Sequence, residues 1–294
     1  MRRFNGLGII AVGAGALIAC QPNQHASTTG DSAAASTAAA PPAAAPAGPT
    51  MVTVRARDFV FDAPDQIPAG MTTFRFVNDG PGLHHLVVIR LDSAKTMADL
   101  QKALQAPGPF PSWAVTMGGP NATDPQTEGN GTIELAAGNY VLACFVDIPG
   151  GVPHFAKGMI RPLTVTAASG PSAAPPTADL TLTLSSYKFD LSQPLTAGTH
   201  TIKVETSAGQ PHEVVLLRLE PGKTSKDILA WMPTMKGAPP AHAVGGATPS
   251  SLGHPVYFTV KLVPGRYVLV CFLPDDKDGK PHFAHGMMQT VDVT

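Results

Sequence analysis

The chain is written twice, and that repeat constrains its fold more than any other feature. Phe61-Asp62 recurs as Phe189-Asp190, Ala69-Gly70 as Ala197-Gly198, His84 as His212, and Arg90-Leu91 as Arg218-Leu219. Gly118-Gly119 recurs as Gly245-Gly246, and Tyr140-Val141-Leu142 with Cys144-Phe145 as Tyr267-Val268-Leu269 with Cys271-Phe272. Pro153-His154-Phe155-Ala156 with Gly158-Met159 returns as Pro281-His282-Phe283-Ala284 with Gly286-Met287. The offset is 128, slips to 127 and returns, so loops have lost one residue and gained one. From Gly70 to Leu91 only six of 22 positions are identical: Phe74 has become Ile202 and Phe76 has become Val204, while the His is kept. Internal self-similarity at such a period means one structural unit used twice, and 294 residues leave room for two ordinary domains.

Each copy reads as strands. Val52 to Ala56 and Thr73 to Val77 alternate, Leu86 to Leu91 is a short apolar run, and Tyr140 to Phe145 and Leu163 to Thr166 follow. Much of the Gly and Pro, 29 and 30 residues, falls in the turns between them. Thr96 to Leu104 and Thr224 to Met232 read as short helices, each opening on Thr with Asp three residues later, which is a capping pattern. The predicted fold is all-β: two tandem Greek-key β-sandwiches, each with a short helical insertion.

Arg2 and Arg3 precede an apolar stretch, Gly6 to Ala19, that is well short of a membrane span. It ends in Leu17-Ile18-Ala19-Cys20, which resembles the bacterial lipobox. The resemblance implies that residues 1–20 are a lipoprotein signal peptide and that Cys20 is acylated. It also implies a periplasm-facing protein of the bacterial envelope, and Gln21 after the Cys favours the outer membrane under the enterobacterial sorting rule. Processing leaves 18 basic against 21 acidic side chains with no basic stripe, so nucleic acid is not an expected partner. Residues 21–50, rich in Ala, Pro, Ser and Thr, cannot bury enough surface to fold and read as a tether. The domains are placed at 51–167 and 179–294, with a linker of similar composition at 168–178 between them.

Three cysteines leave two once Cys20 is used, and Cys144 and Cys271 hold equivalent positions in separate copies, poorly placed for a disulfide. A lone thiol in an oxidising compartment calls for an occupant. Cys144, His154 and Met159 lie close in sequence, with His84 far upstream, and the second copy offers His212, Cys271, His282 and Met287. Taken singly, a strand His is a structural residue, a Cys a small apolar one and a Met a gap-filler. The same four in the same order, twice, are a soft donor set of two imidazoles, a thiolate and a thioether, which suits a trigonal His₂Cys copper site with a weak axial Met.

On these residues both repeats resemble the cupredoxin family of type 1 blue copper proteins, such as plastocyanin, azurin and auracyanin. The four residues between His154 and Met159, and between His282 and Met287, match the family spacing. The nine residues between Cys144 and His154, and the ten between Cys271 and His282, exceed that of single-domain members and come closest to copper nitrite reductase. The resemblance implies cupredoxin-like sandwiches with one type 1 copper per domain. On a strand only one of His84 and His85 can face inward; the repeat selects His84, because Glu213 stands opposite His85. In the family the residue after the ligand His is often polar and positions the loops, which is the role expected of His85 and Glu213. His200, His242, His254, His285 and Met288 have no counterparts and read as surface residues, and Asp275 to Gly279 reads as a solvated turn.

Multicopper enzymes of that family flank the type 1 Cys with His, leading to a second copper centre. Here Cys144 lies between Ala143 and Phe145, Cys271 between Val270 and Phe272, and no His-x-His occurs. The chain is therefore expected not to be an enzyme, but a one-electron carrier for redox partner proteins, tied to the membrane by lipid. Two alternatives stay open: a copper-buffering or delivery lipoprotein, and a metal-free β-sandwich that binds a partner.

Overall fold

The computed structural model describes residues 48–294 apart from Pro107 and Ala208. The expected signal peptide, nearly all of the expected tether and Cys20 lie outside them. The first repeat begins with β1 (Thr50–Arg57), β2 (Val60–Asp62), β3 (Gln66–Pro68), β4 (Gly70–Asn78) and β5 (Val87–Leu91), followed by α1 (Met97–Gln105). It continues with β6 (Ala114–Gly118), β7 (Glu128–Leu135), β8 (Gly138–Ala143), the short β9 (Asp147–Ile148) and β10 (Val152–Pro153), and β11 (Ile160–Thr166). The second repeat has β12 (Leu180–Ser185), β13 (Lys188–Leu191), β14 (Gly198–Thr206) and β15 (His212–Leu219), then α2 (Ser225–Trp231). Its last strands are β16 (Ala241–Ser250), β17 (Val256–Leu262), β18 (Gly265–Val270) and β19 (Met288–Val293).

Two faces of the sequence pattern explain two sheets. In β1 the side chains of Val52, Val54 and Ala56 are buried and their neighbours are not, and β12 alternates the same way over Leu180, Leu182 and Leu184. Such strands have one wet face. They belong to a sheet ordered β13-β12-β14-β17-β7-β4-β1-β2. Strands β5, β8, β15 and β18 are instead almost continuously buried. Their sheet, ordered β19-β18-β15-β16-β6-β5-β8-β11-β3, is covered on both sides. One side faces the main core, with Leu86, Val88 and Leu142 in the first repeat. On the other side α1 lays Leu100 over Val87, Ile89 and Val141, and α2 lays Ile228 over Val215, Leu217 and Val268. Both helices begin where the sequence places them: Thr96 and Thr224 each make the reciprocal capping box with Asp99 and Asp227.

Both sheets run through both repeats. Strand β6 meets β16 at Met117–Ser250, and β7 meets β17 at Thr132–Tyr257. Asn130 reinforces the second junction, its Nδ2 donating to the Thr259 carbonyl at 2.7 Å and its Oδ1 accepting from the Thr259 amide at 2.8 Å. Beside this seam, within each repeat, neighbouring backbones come very close. A Cβ on Gly119 would lie 2.2 Å from the Leu86 carbonyl oxygen, and one on Gly246 would lie 2.0 Å from that of Val214. These are the glycines that the repeat keeps, and at φ +146° and +133° they also hold conformations that other residues resist.

Candidate metal centres

Strand β8 ends at Ala143 and delivers Cys144 into the core, fully buried. The long loop beyond it folds back as the β9–β10 hairpin, and the His154 amide donates to the Val146 carbonyl at 2.9 Å. A 3-10 turn over His154–Lys157 follows and closes on Gly158 at φ 109°, a left-handed position that suits glycine. Backbone bonds then lock the three chemical residues together. The Cys144 amide donates to Met159 O at 3.1 Å, the Phe155 amide to Cys144 O at 2.8 Å, and the Met159 amide to His154 O at 3.0 Å. The second repeat rebuilds the lock at Cys271, His282 and Met287 with Gly286 at φ 103°, its ten-residue loop drawn together at Pro274 and Pro281. Both cysteines are free thiols, and Met159 and Met287 are fully buried in the same core cluster.

His84 arrives from the segment before β5, bridged to Thr123, whereas His212 opens β15 itself. In each repeat one donor atom from each His and the Cys lies within 4.8 Å of the others. Nδ1 of His84 is 3.1 Å from Nδ1 of His154, which is 3.5 Å from Cys144 Sγ. The corresponding distances are 3.1 Å for His212 and His282, and 3.2 Å from His282 to Cys271 Sγ. Burial keeps all of these groups neutral. It pushes the Cys144 thiol up to about 12 and that of Cys271 further up. It pushes His154 and His212 down to about 4, and lowers His84 and His282 as well.

The first centre has a partner that the sequence reading missed. Asp58 Oδ1 lies 2.9 Å from Nε2 of His84. A carboxylate can only accept, so the ring proton sits on Nε2 and Nδ1 presents a lone pair to the other donors. An imidazole oriented by a carboxylate, an opposing imidazole and a thiol whose proton can leave fit a soft or borderline metal such as copper. The second centre has no such carboxylate, because Ser186 occupies the equivalent position. Tyr187, the counterpart of Phe59, has its ring 5.3 Å edge-on from His282, as Phe59 is edge-on to His154, and stacks 4.9 Å from His285. Its hydroxyl donates to the buried Asp275. Asp275, Asp278 and His285 also lie close enough to share an ion. Both carboxylates are committed to the loop: Asp275 accepts from Tyr187, Gln210 and the Lys277 and Asp278 amides, and Asp278 from Lys280 and His285. The expected solvated turn is thus a loop tied down by a buried carboxylate.

His84 and His85 are both buried, at 0% and 8% exposure: His84 faces Cys144, and His85 lies against Phe145 on the opposite face of the sheet, which is covered too. His85 Nε2 accepts from the Phe145 amide at 2.8 Å, and Glu213 Oε1 accepts from the Phe272 amide at 3.0 Å. Each residue after the upstream His therefore holds the residue after the Cys. Burial pushes His85 down to about 4 and Glu213 up to about 7.

No family model and no curated protein matches the chain. Among solved structures it is similar to dithionite-reduced auracyanin from the photosynthetic bacterium Roseiflexus castenholzii, at 21% identity over 41% of this chain and 99% of that one, TM-score 0.27. Auracyanin A, a blue copper protein from Chloroflexus aurantiacus, is 23% identical over 40% of this chain and all of that one, TM-score 0.29. Copper nitrite reductase from Nitrosomonas europaea aligns over 83% of this chain and 93% of that one, at 14% identity and TM-score 0.25.

Proposed function

We propose that the chain is a lipid-anchored envelope protein that holds one type 1 copper in each of two tandem cupredoxin-like Greek-key domains. In this reading it carries single electrons between redox partner proteins and is not an enzyme. The observation that carries the reading is the same buried His-Cys-His convergence in both repeats, each with a Met tied to its Cys through the backbone. Copper bound there would supply one-electron chemistry, alternating between Cu(I) and Cu(II). The residues of the chain supply the rest. Backbone bonds between Cys, His and Met hold the donors in place whichever ion is present, and burial keeps water away from them. Cys20 would anchor the protein on the periplasmic face of the membrane, with the residues up to Thr50 as its tether.

Titration with copper(II) is expected to bind two ions per chain and to raise an intense visible band from thiolate to copper. Cys144→Ser and Cys271→Ser are each expected to remove about half of that band, since each thiolate serves one site. Loss of all colour from either substitution, or of none, would overturn the two-site reading, and colourless binding of copper(I) alone would replace the carrier with a buffer. Cys20→Ala is expected to release the protein from membranes or to stop its processing; a processed variant that still needs detergent for release overturns the anchor.

A further inference from the structure

The two centres offer the same four donors, so a difference between them has to come from what surrounds the donors. At the first, Asp58 Oδ1 lies 2.9 Å from Nε2 of His84, and His84 is the only side chain that Asp58 bonds among the described residues. The carboxylate is 37% exposed and the imidazole 0%, so a charge held at the surface ends on a buried donor. Gly80 makes room for the pair. A Cβ there would lie 2.5 Å from His84 Nε2 and 3.2 Å from Asp58 Oδ1. Gly80 has no positive φ, so it is the space and not the backbone that calls for glycine.

The second repeat lacks both halves of this arrangement: Ser186 stands at the position of Asp58, and Ala208 at that of Gly80. Among the described residues the His212 ring bonds only His282, and Nε2 of His282 is buried with no partner. Two acids do lie near. Asp275 directs its oxygens to Tyr187, Gln210 and the Lys277 and Asp278 amides. Glu213 accepts from Asn121 Nδ2 at 3.1 Å and from the Phe272 amide at 3.0 Å, and burial opposes its charged form. Neither acid bonds a donor ring. A carboxylate on the far nitrogen makes an imidazole a more basic ligand, and a nearby negative charge favours the more positive ion. Both effects favour Cu(II) over Cu(I), which lowers the potential.

We infer that Asp58 sets the two centres apart: the first holds copper at a lower potential than the second, so that in a half-reduced chain the electron rests on the second. Asp58 acts through His84 and is a positioning residue, and Gly80 is the space it needs. The inference rests on the copper reading above. One electron from a donor protein turns Cu(II) into Cu(I) at the second centre while the first stays Cu(II); no bond is made or broken.

The test is a redox titration of the full chain with copper in both sites, followed in the visible, with the two spectra assigned beforehand on Cys271→Ser and Cys144→Ser. The second centre is expected to be reduced first. The ratio of Cu(II) to Cu(I) affinity at the first is expected to exceed that at the second by at least about tenfold, which is about 59 mV for one electron. In Asp58→Asn the amide oxygen still accepts from Nε2 but the charge is gone. The first potential is therefore expected to rise by about that gap while the second stays. Asp58→Ala is expected to shift the first potential in the same direction. A first centre that is reduced before the second in the native chain overturns the inference, and so does a first potential that moves in neither variant. On the copper-free protein, nitrogen NMR is expected to find the His84 ring proton on Nε2 in the native chain and in Asp58→Asn; a proton on Nδ1 instead removes the bond to Asp58 and the inference with it. A native chain that never turns blue overturns the copper reading and the unequal potentials together, and the ring proton, read without copper, distinguishes that failure from a missing Asp58 contact.

Discussion

Asp58 accepts from His84 Nε2 and leaves the Nδ1 lone pair facing the thiol and the second imidazole, so one surface carboxylate orients a buried donor. Outer partners of this kind typically change metal affinity by about 10–100-fold. Asp58→Ala is accordingly expected to weaken copper(I) binding at the first centre by that factor and to leave the second unchanged. Competition titration on a Cys271→Ser background reads the first centre alone, and equal affinities with and without Asp58 would remove its orienting role. The thiol makes a second demand. Burial pushes Cys144 up to about 12, so without metal it is protonated throughout the physiological range, and binding as thiolate must expel that proton. Each rise in pH removes competition from the proton, so apparent copper affinity is expected to climb about tenfold per pH unit between roughly pH 5 and 8. Calorimetry in buffers of different ionisation enthalpy counts the proton released; a flat profile contradicts thiolate ligation.

At the scale of elements, the helices show which forces dominate. Thr96 closes the capping box of α1, and loss of an N-cap side chain typically costs about 1 kcal/mol. Leu100 one turn later is fully buried beneath the same helix, and truncating such a side chain costs about 2–5 kcal/mol. In denaturant unfolding of the copper-free protein, Leu100→Ala is therefore expected to lower stability well beyond Thr96→Ala; the reverse order would mean that α1 is not packed on β5 and β8. Across the seam, His242 on β16 pairs with Asp124 and Glu220. The hydrogen bond to Asp124 raises its pKa above the ordinary imidazole value. A raised pKa gives stability that is complete below the unfolded-state value and is lost as pH rises through the folded one. The site is half exposed, so the effect is that of a surface pair, at about 0.5 kcal/mol. His242→Ala should cost that amount near pH 5.5 and nothing near pH 9, as seen in unfolding midpoints at the two pH values.

At the scale of the whole molecule, neither repeat closes its own sheets. Strands β6 and β7 continue into β16 and β17, and one core cluster runs from Val52 to Val293 through both. A shared core and shared sheet edges leave no boundary at which one half could melt while the other stays packed. Calorimetry of the copper-free chain is expected to show a single transition with equal calorimetric and van't Hoff enthalpies. Two resolved transitions would mean that the seam is weaker than either repeat.

The sequence alone determined what local spacing and duplication can carry. Cys, His and Met within one strand-loop-turn are brought together by a few backbone bonds, so the repeated Cys144-His154-Met159 order was legible, and repetition singled out His84 from His85. Helix starts were legible because a capping box spans only four residues. Tertiary structure alone decided the rest. Asp58 and Asn121 left no mark in the repeat, since Ser186 and Thr248 stand opposite them, and each acts on a partner far away in the chain. The burial of His85 followed the same logic. Strand alternation places His85 on the face opposite His84, but it cannot know that this face is covered as well, so the ring is buried and its hydrogen bond to the Phe145 amide is found inside.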